Sequence, residues 1–326
     1  MSPRVSIIIP CYNAGRWLAE TLESALAQTH PHVEIIVVDD GSKDDSLAVA
    51  RTFAARGVQV ISQPNRGASA ARNHGVRLAR GDYLQFLDAD DLLSPEKISA
   101  QLAHLRGLPA DRLASCAWGR FRDAPATAAF VDDAVFRDFS AVDFLVQAGN
   151  TGAMMHPSAW LVPRAVAERA GPWDETLSLN DDGEYFCRVL LASDGVAYCP
   201  SAKARSYYRS GLPGSLSQQR SVRARESHFH SLESIELHLL ARENSARTRQ
   251  AVADHYQRFI FDFFPEPAAL MEAAAEKITA LGGSSLVEPA MGGKTRTLTR
   301  LIGWRNVWRL KHAANYWRAR FQARRA

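Results

Sequence analysis

Short β-branched runs alternate with amphipathic stretches through the first hundred residues of the chain. Residues 5–9 are continuously rich in apolar side chains and are closed by Pro10, a pattern typical of a buried strand. The pattern predicts further strands at residues 33–38, Val58–Ser62 and 83–87. Helices are predicted over residues 16–28, from an N-cap at Ser42, over residues 69–80 and from Ser94 onward.

The repeated strand–helix order predicts an α/β fold, a mostly parallel sheet with helices on both faces. Ligands of such sheets bind outside the carboxyl ends of the strands. Polar segments rich in turn-forming residues follow the four predicted strands, at residues 10–15, 39–44, 63–72 and 88–91. We therefore expect these segments to build the ligand-binding edge.

The pattern changes after about residue 107. Strands are predicted at Leu113–Phe121, 158–162, Val196–Cys199 and 202–208, and a helix at 182–191. Beyond residue 217 the pattern is helical, over residues 222–240, 247–264 and 267–281. We therefore divide the chain into an α/β domain, residues 1–217, and a helical C-terminal region with a basic tail, residues 218–326.

The composition is that of a folded globular protein, with 46% hydrophobic and 23% charged residues in a chain of 326. The four cysteines form no CxxC pair, so we expect reduced thiols in a cytoplasmic protein. The first apolar run is too short for a signal peptide. No apolar run reaches the roughly 20 residues that a membrane-spanning helix needs.

Charge is unevenly distributed along the chain, whose net charge is +4. No Asp or Glu follows Glu288, and the tail beyond it contains ten Lys and Arg residues. Trp304, Trp308 and Lys311 share one face of a predicted helix there, which suits an anionic membrane surface bound through residues 298–326. Packing of these tryptophans on the preceding domain is the alternative. A nucleic-acid partner is not expected.

Two carboxylates lie two residues apart after the fourth predicted strand, in Asp88-Ala89-Asp90. Carboxylate oxygens suit Mg²⁺ or Mn²⁺. Such an ion neutralises the charge on a departing diphosphate. A solvated turn or a helix cap is the structural alternative, but the position after a buried strand favours a metal site.

Other polar positions suit a nucleotide ligand. Asp40 follows the second strand, where a carboxylate can accept hydrogen bonds from a base or a ribose. Gly67 precedes a helix start, which favours anions, and Arg72 one turn later is either a phosphate ligand or a solvated helix residue. Asp181 and Asp182 open a later helix, where they either complement the helix dipole or supply a general base. Dinucleotide, P-loop and nucleophile-elbow motifs are absent from these turns.

These motifs, in this order, resemble the family 2 glycosyltransferases, which share the GT-A fold. The matching pieces are VSIIIPCYN at 5–13, QT at 28–29, EIIVVDDGS at 34–42, NRGASAARN at 65–73 and GDYLQFLDADD at 81–91. Residues 171–175 and 181–188 resemble the acceptor half of that family more loosely, because Asp181 stands where Glu is usual. The resemblance implies a nucleotide-sugar-binding half at residues 1–107 and an acceptor half at residues 108–217.

The resemblance also implies roles for single residues. Binding of the nucleotide-sugar donor falls to Pro10, Tyr12, Asn13, Asp40, Gly67, Arg72 and Asp88. Mn²⁺ or Mg²⁺ is expected on Asp90, with Asp88 on the ion or the ribose. Asp182 is expected to be the general base, with Asp181 as the second choice.

The implied activity is an inverting transfer of sugar from a nucleoside-diphosphate sugar, UDP being favoured. The acceptor is the hydroxyl of a saccharide or a lipid-linked sugar, in the synthesis of cell-surface polysaccharide, lipopolysaccharide or glycolipid. Attachment to the inner face of the membrane would follow. Two alternatives remain: a nucleotidyltransferase, although an early G-x-G-T-R-like loop is missing, and a non-catalytic nucleotide-sugar-binding or assembly protein, which Asp181 and Asp182 disfavour.

Overall fold

A computed structural model describes residues 2–212, 220–265, 268–289, 298–299 and 301–310. The strands are β1 (Val5–Cys11), β2 (Val33–Asp39), β3 (Val58–Ser62), β4 (Tyr83–Phe86), β5 (Leu92–Leu93), β6 (Leu113–Phe121), β7 (Val162–Pro163), β8 (Val196–Cys199) and β9 (Arg205–Arg209). The helices are α1 (Gly15–Leu26), α2 (Ser46–Thr52), α3 (Ala68–Leu78), α4 (Lys97–His104), α5 (Ala141–Thr151), α6 (Arg164–Ala170), α7 (Asp181–Leu191), α8 (Val222–Arg242), α9 (Ala246–Phe263) and α10 (Ala268–Ala280).

The central sheet has the strand order β3-β2-β1-β4-β7. Strands β1 to β4 are mutually parallel where they pair, and β7 joins β4 antiparallel. Val5 is in register with both Val33 and Tyr83, so the carboxyl ends of β1, β2 and β4 lie side by side. A second sheet has the order β5-β9-β6-β8. The predicted mostly parallel α/β sheet and helical C-terminal extension are thus confirmed.

Both faces of the central sheet are buried, which explains why β1 is apolar at nearly every position. Successive side chains of a strand point to opposite faces. Ile7 and Ile9 pack in one hydrophobic cluster with Leu18 and Leu22 of α1, and Ile8 packs in a second cluster on the other face. Parallel strands covered by helices on both sides need this composition.

A glycine sets the distance between α3 and the sheet. A Cβ atom on Gly75 would lie 2.4 Å from Cγ2 of Ile8, so any larger residue would push the helix away. Arg72, one turn earlier on α3, is held at the carboxyl edge of the sheet by this close approach. The helix therefore positions a charged side chain against a largely apolar scaffold.

The C-terminal helices share the large hydrophobic cluster of the sheet, through residues such as Phe229 and Tyr256. A helical segment at 304–310 packs on the end of α9, with the ring of Trp304 5.0 Å from that of Phe261. The ring of Trp308 lies 5.5 Å from that of Phe264. Trp304 and Trp308 therefore pack on the end of α9 in the helical C-terminal region, whereas the alternative named the preceding domain. Lys311 and the residues after it lie outside the described residues.

Two predictions of local structure are wrong. Ser42 does not cap α2, which begins at Ser46; its hydroxyl accepts a hydrogen bond from the N–H of Asn13 instead. The strand predicted at 158–162 is a 3₁₀ turn, Pro157–Ala159, followed by the two-residue β7. The apolar residues at 158–162 are buried by packing against distant parts of the chain. A β-like pattern alone does not distinguish such packing from strand pairing.

The proposed domain boundary at residue 217 falls among residues 213–219, outside the described residues. In the part of the chain that the structure describes, no helix is both long enough and apolar enough to cross a membrane. All four cysteines are buried and free.

Candidate active site

The carboxyl edge of the sheet carries an ordered loop beside β2. Asp40 accepts hydrogen bonds from the side chain of Gln63 and from the backbone N–H groups of Arg66 and Gly67, at 2.8 to 2.9 Å. Gly67 adopts a left-handed φ of 94°, which favours glycine. Asp40 thus fixes the loop that leads into α3, and its predicted contact with the nucleotide base stays a prediction.

An aromatic side chain is exposed at the same edge. The turn after β1 is tied to the turn after β2, because the carbonyl oxygen of the Asn13 side chain accepts a hydrogen bond from the N–H of Lys43. Asn13 has a φ of 50°, unusual for a residue with a side chain. This conformation follows Tyr12, whose ring remains 47% exposed. An exposed ring beside a fixed turn can stack on a planar ligand.

Arg72 links the two halves of the predicted domain. Its guanidinium donates to Asp88 at 2.9 Å and to Asp181 at 2.8 Å, and it lies 4.5 Å over the ring of Trp173. Burial opposes the charge on Arg72, yet the two carboxylates raise the pKa of Arg72 above its ordinary value. The guanidinium therefore pairs carboxylates that are 93 residues apart in the sequence. The predicted contact of Arg72 with ribose or diphosphate stays a prediction.

Replacing Arg72 with Gln should lower the free energy of unfolding by roughly 3–5 kcal/mol, because two carboxylates lose their buried cation. Urea denaturation measures this loss. The matched control is Arg66→Gln, which breaks the exposed ion pair with Glu175 and should cost less than about 1 kcal/mol. Equal losses in the two variants would show that Arg72 does not hold the site together.

The acidic end of α7 is docked on α3 by a pair of reciprocal hydrogen bonds. The Asn73 side chain donates to the carbonyl of Trp173 at 2.9 Å and accepts from its N–H at 2.8 Å. Asn180, in the left-handed region at the start of α7, is tied to Ser231 of α8. These contacts bring residues 173–180, far along the sequence, to the edge of the central sheet.

Asp181 and Asp182 are in different environments although they are neighbours. Both oxygens of Asp181 accept hydrogen bonds, one from Ser69 and Arg72 and the other from the N–H of Asp182. Among the described residues, the Asp182 carboxylate accepts only the N–H of Gly183, at 2.9 Å. Burial and then the charge of Asp181 raise the pKa of Asp182 to about 6. Asp182 therefore combines a free oxygen with a pKa near neutrality.

A candidate metal cluster lies on the other side of Asp88. Oxygens of Asp88 and Asp91 and a ring nitrogen of His156 lie within 4.8 Å of one another. Nε2 of His156 is 3.2 Å from Oδ2 of Asp91 and 3.9 Å from an oxygen of Asp88. Burial above all lowers the pKa of His156 to about 4, so the ring is neutral near pH 7 and able to act as a metal ligand.

The donor set of this cluster fits a divalent cation. Oδ2 of Asp91 is buried and accepts no hydrogen bond from the described residues. Burial and then Asp88 raise the pKa of Asp90 to about 6, while burial, Asp90 and Asp88 raise that of Asp91 well above its ordinary value. A cation would relieve this repulsion. The structure brings Asp88 together with Asp91 and His156, and the assignment of Asp90 as a ligand stays a prediction.

Arg209, at the end of β9, holds the backbone of the acidic motif. Its N–H donates to Asp91 at 2.7 Å and its side chain donates to the carbonyl of Asp90 at 2.8 Å. The guanidinium is fully buried between the rings of Trp17 and Phe121, both within 4.4 Å. The turn at residues 88–91 is therefore supported from both sheets.

Sequence reasoning did not assign Asp91, His156 or Arg209 to the metal site. Asp91 was visible as a third acidic residue in the motif, although its complete burial was not. His156 and Arg209 are 65 and 118 residues away from Asp91 and come to it only through the second sheet. No local pattern marks such contacts.

A comparison of the sequence with protein-family models shows which family the chain resembles. Residues 6–165 match the model described as glycosyl transferase family 2. Residues 6–165 belong to this family. The matched residues include the Asp88 cluster and Arg72, but they end before Asp182.

Curated relatives carry related names. An uncharacterised glycosyltransferase of Rickettsia typhi is 32% identical over 198 residues, which cover 59% of this chain and 60% of the relative. The glycosyltransferase GlyG of Streptococcus pneumoniae is 37% identical over 34% of this chain and 38% of its own length. The chondroitin synthase of Escherichia coli is 42% identical over 32% of this chain and 16% of its own length. The chain thus spans at most about 60% of these relatives.

Solved structures of similar shape support the fold. Staphylococcus aureus TarS in complex with UDP-GlcNAc superposes with a TM-score of 0.68 at 17% identity, covering 85% of this chain and 80% of TarS. The mannosyltransferase PcManGT of Pyrobaculum calidifontis, in complex with GDP-Man and Mn²⁺, gives a TM-score of 0.53 at 18% identity over 95% and 87% of the two chains. The GT-A fold of this chain is therefore established.

Proposed function

We propose that this family 2 glycosyltransferase transfers a sugar from a nucleoside-diphosphate sugar to an acceptor hydroxyl, with inversion at the anomeric carbon. The observation that carries the proposal is the row Asp182, Asp181, Arg72, Asp88, in which a single guanidinium joins two functions. One end of the row offers a carboxylate with a free oxygen, and the other offers an acidic cluster suited to a cation. A sugar transfer needs both a base and a means of stabilising the leaving diphosphate.

At the acceptor end, Asp182 acts as the general base. The free oxygen of Asp182 takes the proton from the acceptor hydroxyl. At the same time the oxygen of that hydroxyl bonds to the anomeric carbon. The bond between this carbon and the diphosphate oxygen breaks in the same step, so a single displacement inverts the configuration. Asp181 is saturated with hydrogen bonds to Ser69, Arg72 and the N–H of Asp182, which assigns it to positioning.

At the donor end, the nucleotide lies along the carboxyl edge, with its base against Pro10 and the exposed ring of Tyr12. Asp88, Asp90, Asp91 and His156 would hold Mn²⁺ or Mg²⁺. A bound divalent cation would neutralise the departing diphosphate. Arg72 keeps Asp88 ionised, because its charge holds the pKa of that carboxyl below its ordinary value against the effect of burial. Residues 1–107 then form the donor half and residues 108–217 the acceptor half.

UDP is the nucleoside diphosphate that we favour. An assay of nucleoside diphosphate release tests the proposal. UDP-, GDP- and dTDP-sugars would each be incubated with the full chain and Mn²⁺, with and without a mixture of simple saccharide acceptors. Release of the nucleoside diphosphate from at least one donor is expected. If a donor binds but no sugar is ever transferred or hydrolysed, the non-catalytic alternative replaces the proposal.

The residues from 298 onward are proposed to attach the enzyme to an anionic membrane surface, where lipid-linked acceptors would be met. Trp304 and Trp308 pack on the end of α9, so the contact falls to other side chains. Leu301, Ile302 and Leu310 are exposed there, close to the exposed Arg305 and Arg309. Exposed apolar and basic residues together suit an anionic lipid surface.

Replacing Leu301 and Ile302 with Ser together should reduce binding to vesicles containing about one-third phosphatidylglycerol by several-fold, since apolar burial in the lipid is lost. Co-sedimentation with the vesicles measures the bound fraction. Leu237→Ser is the control, because Leu237 is also an exposed apolar residue but lies on α8. Membrane attachment through this segment is excluded if both proteins bind equally, or if the unaltered chain does not bind.

A further inference from the structure

A pocket of about 300 Å³ opens on the acceptor half, one side chain away from the metal cluster. Its lining is formed by Trp118, Arg120, Ala129, Val131, Asp133, Phe136, Gly152 and Met154. The ring of Trp118 lies 6.1 Å from that of His156, and the ring of Tyr208 lies 4.6 Å from it. A molecule in this pocket would therefore be next to the reacting centre of the proposed transfer.

Two charged side chains face this pocket without pairing with each other. Arg120 lies over the rings of Trp118 and Tyr208, at 5.2 Å from each, and has no ion-pair partner among the described residues. Asp133 uses one carboxylate oxygen to accept the N–H of Val135, which leaves the other oxygen for a ligand. The rest of the lining is largely apolar.

We propose that this pocket is an acceptor subsite that binds a sugar carrying an oxyanion, either a carboxylate or a phosphate. The inference rests on the proposed sugar transfer. A guanidinium held over two aromatic rings is oriented before binding and matches the planar fork of a carboxylate or the oxygens of a phosphate. Asp133 accepts hydrogen bonds from sugar hydroxyls, and the apolar lining contacts the C–H face of the ring.

Ligand-observed NMR on the full chain tests the subsite with three probes: methyl β-glucuronide, glucose 6-phosphate and methyl β-glucoside. The two anionic sugars should bind more tightly than the neutral glucoside. Arg120→Ala should weaken the anionic probes roughly tenfold, as expected for loss of a charge-assisted hydrogen bond. It should leave the glucoside unchanged. Whichever anionic probe is weakened more identifies the carboxylate or the phosphate as the natural group.

Arg137→Ala is the matched control, since Arg137 is exposed, lies over the single ring of Phe139 and is not one of the residues that line this pocket. The thermal midpoint and Mn²⁺-dependent binding of a nucleoside diphosphate are measured on the same proteins. Equal effects of Arg120→Ala and Arg137→Ala, or equal binding of neutral and anionic probes, would overturn the subsite. If the unaltered chain binds the anionic probes but shows no Mn²⁺-dependent binding of a nucleoside diphosphate, the result would count against the proposed function and not against the subsite.

Discussion

Asp182→Asn should reduce the rate of sugar transfer by about 10²–10⁴-fold, the usual contribution of a general base. The amide cannot take the acceptor proton, whereas the contacts of Arg72 with Asp88 and Asp181 remain in place. Donor affinity should therefore be unchanged. Initial rates of nucleoside diphosphate release at saturating donor, together with calorimetric donor binding, measure the two effects separately.

The pH profile gives a second readout of the same residue. Since burial and Asp181 raise the pKa of Asp182 to about 6, the ionised base is depleted below that pH and complete above it. The rate should fall about tenfold per pH unit below 6 and level off above 7. Asp194→Asn, which alters an exposed carboxylate, should keep both the rate and the profile. Wild-type turnover in Asp182→Asn would remove this residue from the role of base.

Asp90→Ala should abolish metal-dependent donor binding, raising the dissociation constant of the nucleoside diphosphate at least about 100-fold. The variant is a clean probe, because the Asp90 side chain accepts no hydrogen bond from another described side chain and is not fully buried. Stability should therefore change little. Titration calorimetry at fixed Mn²⁺ measures the affinity, and thermal unfolding checks the fold.

Asp194→Ala serves as the control, and Asp91→Asn separates two arrangements of ligands. If Asp91 and His156 complete the cluster with Asp88, then Asp91→Asn should also weaken Mn²⁺-dependent binding. Retention of Mn²⁺-dependent binding in Asp90→Ala would show that the ion does not use this carboxylate. Asp90 would then serve the ribose or the fold of the turn.

Local patterns were enough to predict the four parallel strands of residues 1–107. The four parallel strands come from β-branched runs closed by turn residues, and the position of Asp88 follows from its place after the fourth run. The rule that parallel sheets bind ligands at their carboxyl edge then grouped Asp40, Arg72 and Asp88. These residues lie where the sheet topology requires them, because register and crossover connections leave little freedom.

The remainder depends on contacts that no local pattern contains. Arg72 was predicted to face a phosphate or solvent, yet it is buried between Asp88 and Asp181, and only the docking of Asn73 on Trp173 brings Asp181 there. The burial of Asp91 results from the packing of β9 and the turn at Pro157–Ala159. Long-range hydrogen bonds between loops thus determine which residues meet at the site, and the periodicity of the sequence does not predict those contacts.

The central claim, a metal-dependent nucleotide-sugar site at the Asp88 cluster, is tested most directly by titrating UDP, GDP and dTDP into the full chain with Mn²⁺ and again with EDTA. The account predicts saturable binding of at least one of them with Mn²⁺, and its loss both with EDTA and in Asp90→Ala. Equal binding with and without the metal, or binding of none of the three, would contradict it.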